Sequence, residues 1–166
     1  LTERKQLSAE LHTPIWTEKQ HRTQQLLKEH IQPHAEVKRI ISELQQRDIA
    51  VVCASNSIRQ SLDHMVSLLG LQHAFERTYS CEDVKHPKPH PEIYIRAVLD
   101  AGIKPAETLI VEDSHIGRQA ASESGCHVAP LDKPSTLTWE WLQRQLKYVE
   151  SYTLHTPGKN EIPWVM

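Results

Sequence analysis

The sequence predicts an α/β domain, with a parallel β-sheet carrying helices on both faces. Three observations lead there. Short apolar, β-branched runs alternate with amphipathic segments of helical period. Gly, Pro or small capping residues bound most of those segments. Polar triplets follow two of the runs, Ser55-Asn56-Ser57 and Glu112-Asp113-Ser114. Open parallel sheets bind ligands beyond the carboxyl ends of their strands, where these triplets fall.

The elements follow in order. Residues Leu1 to Ile31 are polar and helix-prone, and Pro14 divides them into two expected helices. The second, from Trp16 to His30, is expected to place Leu26, Leu27 and Ile31 on one apolar stripe. Val37, Ile40, Ile41 and Leu44 recur at three and four residues, which makes Glu36 to Arg47 amphipathic. Ile49 to Ala54 reads as a buried parallel strand. Ile58 to Leu69 is a helix with Leu62, Met65, Val66 and Leu69 inward, closed by Gly70. Thr78 to Cys81 is a candidate short strand.

His86-Pro87-Lys88-Pro89-His90-Pro91 is a stiff loop whose last proline opens a helix through Ile93, Tyr94, Ala97 and Val98, stopped by Gly102. Thr108 to Val111 is a second buried strand, Ile116 to Glu123 a helix ended by Gly125, and His127 to Leu131 a last strand. The tail starts with an aromatic helix around Trp139 and Trp141, running to about Val149. Pro157, Gly158 and Pro163 predict irregular chain after it. No internal repeat or low-complexity linker is present.

Composition narrows the function. With 166 residues the chain suits one domain with a small appendage. A formal net charge of −2 gives no basic field for nucleic acid or a membrane. No apolar run is long enough for a membrane span. The three cysteines, Cys53, Cys81 and Cys126, are odd in number and lack CxxC spacing, which favours a reducing, cytoplasmic compartment.

Three constellations carry chemistry. Ser55-Asn56-Ser57 offers hydroxyls and backbone N–H groups at a helix N-terminus, an anion site or an ordinary cap. Lys88 stands between two prolines, where its ammonium is a fixed charge or a surface lysine. Glu112-Asp113 supplies adjacent carboxylates after a buried strand, a hard-cation site or a helix N-terminal pair. A zinc site from Cys81, His86 and His90 matches no standard spacing and is not expected. The remaining histidines read as surface residues.

The order serine, Lys-Pro, acidic pair resembles the haloacid-dehalogenase superfamily, from about Val37 to Leu131. The match is densest in LLGLQHAFERTYSCEDVKHPKPHPEIYIRAVLDAGIKPAETLIVEDSHIGRQAASESG, which is similar to β-phosphoglucomutase-like and phosphoglycolate-phosphatase-like enzymes. The resemblance implies a three-layer Rossmann-like core at residues 35–133, a remnant of a helical cap at 1–34, and a C-terminal helix with an irregular tail at 134–166. It implies a magnesium-dependent phosphate-monoester hydrolase or phosphomutase acting on a small phosphorylated metabolite. Ser55 would hydrogen-bond the transferring phosphoryl group, assisted by the backbone N–H of Asn56. Lys88 would neutralise the nucleophile and phosphoryl oxygens. Asp113, with Glu112, would hold Mg²⁺ directly or through water. In a receiver-like signalling domain the acidic pair comes early and the Lys-Pro last, the reverse of the order here. A dehalogenase proper needs no metal, and the acidic pair argues for the metal-dependent branch.

One part of the pattern is missing. The family's first motif, Asp-x-Asp-Gly-Thr after the first strand, supplies the attacking aspartate and a general acid–base. No Asp-x-Asp occurs anywhere in this sequence. The resemblance places that strand mid-sheet, so the strands at Ile49 and Thr108 are expected to flank an empty slot. Exposed edges of that kind invite the tail, another segment or a second copy. The expectation is that this is a fragment of an active enzyme, inactive alone. The alternative is a catalytically dead relative that binds a phosphorylated ligand or a partner, with the Trp139, Trp141 and Trp164 tail as a contact or docked on its own core.

Overall fold

The computed structural model describes residues 9–153 and 164–165. Its helices are α1 (His12–His30), α2 (Ala35–Gln45), α3 (Arg59–Leu68), α4 (Glu92–Ala101), α5 (His115–Glu123) and α6 (Trp139–Thr153). Its strands are β1 (Val51–Ala54), β2 (Arg77–Tyr79), β3 (Leu109–Glu112), β4 (His127–Pro130) and β5 (Trp164–Val165). The sheet order is β2-β1-β5-β3-β4, and every recorded pair is parallel.

The period of two along the strands builds two cores. Val51 and Leu109 face one side, with Ile40, Ile41 and Leu44 of α2, Leu62 and Val66 of α3, and Leu142, Leu146 and Val149 of α6. Val52 and Ile110 face the other, with Ile93, Tyr94 and Ala97 of α4 and Ala120 and Ala121 of α5. Adjacent residues serving opposite layers is the signature of a sheet covered on both faces. The layers are therefore α2, α3 and α6; the sheet; and α4 with α5. Gly102 stops α4 in the left-handed region at φ 69°.

Two expectations are corrected at the N-terminus. Pro14 does not divide the segment, because it lies in the first turn of α1, where backbone N–H groups have no intrahelical partner to lose. Leu26 is 54% exposed, while Leu27 and Ile31 are half-buried. The helix meets α3 through polar contacts instead: Nε2 of Gln24 donates to Oγ of Ser61 at 3.2 Å, and Oε1 of Gln24 lies against Nδ1 of His64.

The tail gives the main departure. Residues 154–163, expected to be irregular, lie outside the described residues. Just beyond them, β5 occupies the central slot: Trp164 pairs with Val51, and Val165 with both Val52 and Ile110. The inner edges of β1 and β3 are thus joined within the chain rather than left open. Trp139 is buried in the first core and carries the Arg47 guanidinium 4.8 Å from its ring centroid. Trp141 is partly buried against the same core, so both aromatics dock on their own domain. Among the described residues, no helix is long and apolar enough to cross a membrane.

Glu36 fastens α6 to α2. Its carboxylate accepts from Arg39 at 2.7 and 2.9 Å and from the Trp139 backbone N–H at 3.0 Å. The Arg39 bonds first, and the Trp139 N–H second, hold its pKa down to about 2 from 4.5. A depressed carboxylate pKa stabilises the fold above the unfolded value and loses that contribution as pH falls through the folded one. Glu36→Gln should therefore lower the melting temperature at neutral pH, with the deficit shrinking between pH 4.5 and about pH 2. Thermal unfolding followed by circular dichroism across that range checks this; a deficit independent of pH would contradict it.

Candidate active site

Three loops leave the sheet at the carboxyl ends of β1, β2 and β3, and buried polar contacts tie them together. The backbone N–H of Ser55 donates to the Tyr79 carbonyl at 2.8 Å, extending the β1–β2 pairing by one bond. The Ser55 hydroxyl oxygen accepts from the Ser57 N–H at 3.1 Å. That local turn leaves the hydroxyl proton free to be given elsewhere.

Asn56 has a role that the sequence did not disclose. Its side-chain amide donates to the Lys88 carbonyl at 3.0 Å and accepts from the Lys88 N–H at 2.9 Å. A paired bond of this kind fixes one loop against the other. The backbone N–H of Asn56 was the group expected at the site; the side chain sets the position of the lysine.

Lys88 is not a surface lysine. Its side chain is 4% exposed. Nζ donates to the Ala54 carbonyl at 3.0 Å and to Oε1 of Glu112 at 2.8 Å, and lies 4.6 Å from the Tyr94 ring centroid. An ammonium has three donors, so one remains for another acceptor. The peptide bond from Lys88 to Pro89 is cis.

Glu112 is held at both oxygens. Oε1 accepts from Lys88 and from the Tyr94 hydroxyl at 3.2 Å, and Oε2 accepts from the N–H and hydroxyl of Ser114, each at 2.9 Å. Burial pushes its pKa up, but Lys88 and then Ser114 outweigh that and hold it below the usual carboxylate range. Burial raises the Tyr94 hydroxyl well above its ordinary value, with the Glu112 charge adding to it, so Tyr94 stays a neutral donor.

Asp113 differs from its neighbour. It is exposed, and among the described residues its carboxylate has no recorded hydrogen bond or ion pair. Its backbone is fixed by Arg118, which donates to the carbonyls of Glu112 at 3.3 Å, Asp113 at 3.1 Å and Leu131 at 3.0 Å. An exposed carboxylate on a fixed backbone, next to a second carboxylate, gives hard oxygen donors that fit Mg²⁺.

The structure thus joins Asn56, Lys88 and Glu112 through a continuous set of contacts, with Ser55 and Asp113 their neighbours in the chain. It adds Tyr94, Ser114, Gly117 and Arg118, which the sequence reading missed as site residues. The signal for Gly117 was a glycine in the first turn of α5 where helix propensity disfavours one. A β-carbon there would collide with the Glu112 carboxylate. Of the Cys81, His86 and His90 set, which the spacing did not favour as a zinc site, His86 and His90 group with Glu92 and not with Cys81.

Residues 3–130 match the haloacid dehalogenase-like hydrolase family, and the chain belongs to it. It is 27% identical over 122 residues to pyrophosphatase PpaX of Bacillus cereus, covering 74% of this chain and 53% of that one. It is 29% identical over 108 residues to fructose-1-phosphate phosphatase YqaB of Escherichia coli, covering 65% and 56%. Among solved structures, β-phosphoglucomutase from Clostridium difficile aligns with a TM-score of 0.71 at 18% identity, over 90% of this chain and 72% of that one, and so shares the fold. The chain spans about half the length of the curated relatives it matches.

Removing one partner of a buried ion pair leaves an uncompensated charge, typically at a cost of ~3–5 kcal/mol. Lys88→Ala should lose about that much in urea unfolding, and adding Glu112→Gln should recover part of it. A double variant whose loss equals the sum of the two single losses would show that the pair is not coupled. Gly117→Ala should destabilise by ~1–3 kcal/mol as Glu112 is displaced; an unchanged urea midpoint would refute the close approach.

Proposed function

We propose that this chain carries the phosphoryl-binding half of a magnesium-dependent phosphate-monoester hydrolase or phosphomutase acting on a small phosphorylated metabolite. The observation that carries the reading is the Asn56–Lys88–Glu112 interlock, which draws the matched motifs together at the carboxyl end of one parallel sheet. Phosphoryl transfer depends chiefly on positioning and charge stabilisation, and these residues supply both.

The Ser55 hydroxyl donates its free proton to a phosphoryl oxygen, and the Asn56 N–H assists. Lys88 offers its remaining donor to a phosphoryl oxygen or to an incoming carboxylate. Glu112 holds the Lys88 ammonium in place, and Tyr94 donates to the same carboxylate. Asp113, with its exposed carboxylate, would hold Mg²⁺ together with the neighbouring Glu112. The bound metal would neutralise phosphoryl charge. The phosphatase activities named for PpaX and YqaB support the reaction class.

The attacking carboxylate is not in this sequence, which holds no Asp-x-Asp. Without it the same residues make a phosphate-binding module, so a binding role is the second reading. The 166-residue chain should give background turnover of p-nitrophenyl phosphate with magnesium. It should still bind inorganic phosphate more tightly when magnesium is present. Calorimetry should show Mg²⁺ affinity falling about tenfold or more in Asp113→Asn. Equal affinity in that variant would refute the metal assignment, and robust turnover would refute the missing nucleophile.

A further inference from the structure

His86, His90 and Glu92 alternate with prolines around Lys88, and the described mechanism uses none of the three. One ligand atom from each lies within 4.8 Å of the others. Nδ1 of His86 is 2.7 Å from Oε2 of Glu92, and the two imidazole centroids are 4.8 Å apart. The cluster is open to solvent, with the His86 side chain 64% exposed and that of Glu92 29%.

The backbone holds the three in this arrangement. Pro87, Pro89 and Pro91 restrict φ along the loop. The His90 N–H closes a turn onto the Pro87 carbonyl at 3.1 Å, and Nδ1 of His90 accepts from the Glu92 N–H at 3.2 Å. The Glu92 carboxylate accepts from the backbone N–H groups of Lys85 at 2.8 Å and His86 at 3.0 Å. The Asn56 clamp pins the middle of the loop at Lys88. A surface His–Glu pair alone would need none of this, nor the second imidazole. The ordering cost that a ligand usually pays is largely met before it arrives.

We propose that His86, His90 and Glu92 form a site for a borderline divalent transition metal of the zinc type, separate from the carboxylate site at Asp113. Two imidazole nitrogens and one carboxylate oxygen suit zinc and its late first-row neighbours, and magnesium poorly. Zinc bonds of ~2.0–2.2 Å place tetrahedral ligand atoms roughly 3.5 Å apart, so the 2.7 Å His86–Glu92 contact would open slightly and the wider separations, within 4.8 Å, would close around the ion. Three protein ligands leave a fourth tetrahedral position to water. Because the ligands flank Lys88 on both sides, the ion would brace the loop that presents the lysine. The inference does not depend on the phosphotransfer reading.

The test is a titration of the full chain with Zn²⁺ against a competing chromogenic chelator, repeated with Co²⁺ to read its visible bands. The expected result is one ion per chain with micromolar affinity and the intense bands of tetrahedral cobalt. Affinity should fall about tenfold or more in His86→Ala, His90→Ala and Glu92→Gln. It should be unchanged in His21→Ala, an exposed histidine on α1. Glu92→Gln removes the charge but keeps an oxygen for the loop N–H groups, and circular dichroism verifies that each variant is folded. No stoichiometric uptake by the parent chain, or equal affinity in His86→Ala and His90→Ala, would overturn the proposal.

Discussion

The ion pair between Lys88 and Glu112 is the contact on which the site's arrangement rests. Both side chains are almost wholly withdrawn from water, at 4% and 10% exposure. A buried charge is tolerated only when paired and hydrogen-bonded, and here each has further partners: the Ala54 carbonyl for the lysine, Tyr94 and Ser114 for the glutamate. The pair bridges the ends of β1 and β3 across the slot that β5 fills. Much local sequence serves it. Gly117 clears space for the carboxylate, Asn56 fixes the lysine backbone, and Arg118 gathers the carbonyls around the turn after β3.

The central slot gives the second constraint. A parallel sheet cannot bury two adjacent inner edges without pairing their N–H and C=O groups. Trp164 and Val165 pair in parallel with β1 and, at Val165, with β3, so β5 runs in the same direction as its neighbours, toward the end that carries Ser55, Lys88 and Glu112. The sheet is thereby closed by a segment from the far end of the sequence.

Much of this was legible in the sequence where period and punctuation agree. Ile93, Tyr94, Ala97 and Val98 are all buried as the spacing of three and four requires, and Gly102 ends α4 in the left-handed region. The placement of Ser55 and Glu112-Asp113 at strand ends followed from the parallel topology alone. What the sequence hid were long-range side-chain matters. Nothing local distinguishes Asn56 as a clamp, because its partner is the backbone of a residue on another loop. Nothing local announces that Lys88 is buried, since a lysine among prolines and histidines reads as polar surface. The β5 pairing rests on two residues after a proline, too short to show a period. Pro14 misled because its effect depends on its place in the helix, and a first-turn proline costs no hydrogen bond.

The central claim is that three strand-end segments form one magnesium-assisted phosphoryl site. Amide-resolved NMR of the full chain, titrated with inorganic phosphate in the presence and absence of Mg²⁺, tests it most directly. The account predicts shifts that need magnesium and concentrate at Ser55 to Ser57, Lys88, Asp113, Ser114 and Gly117. Shifts confined to other surfaces, or the same pattern with and without magnesium, would contradict it.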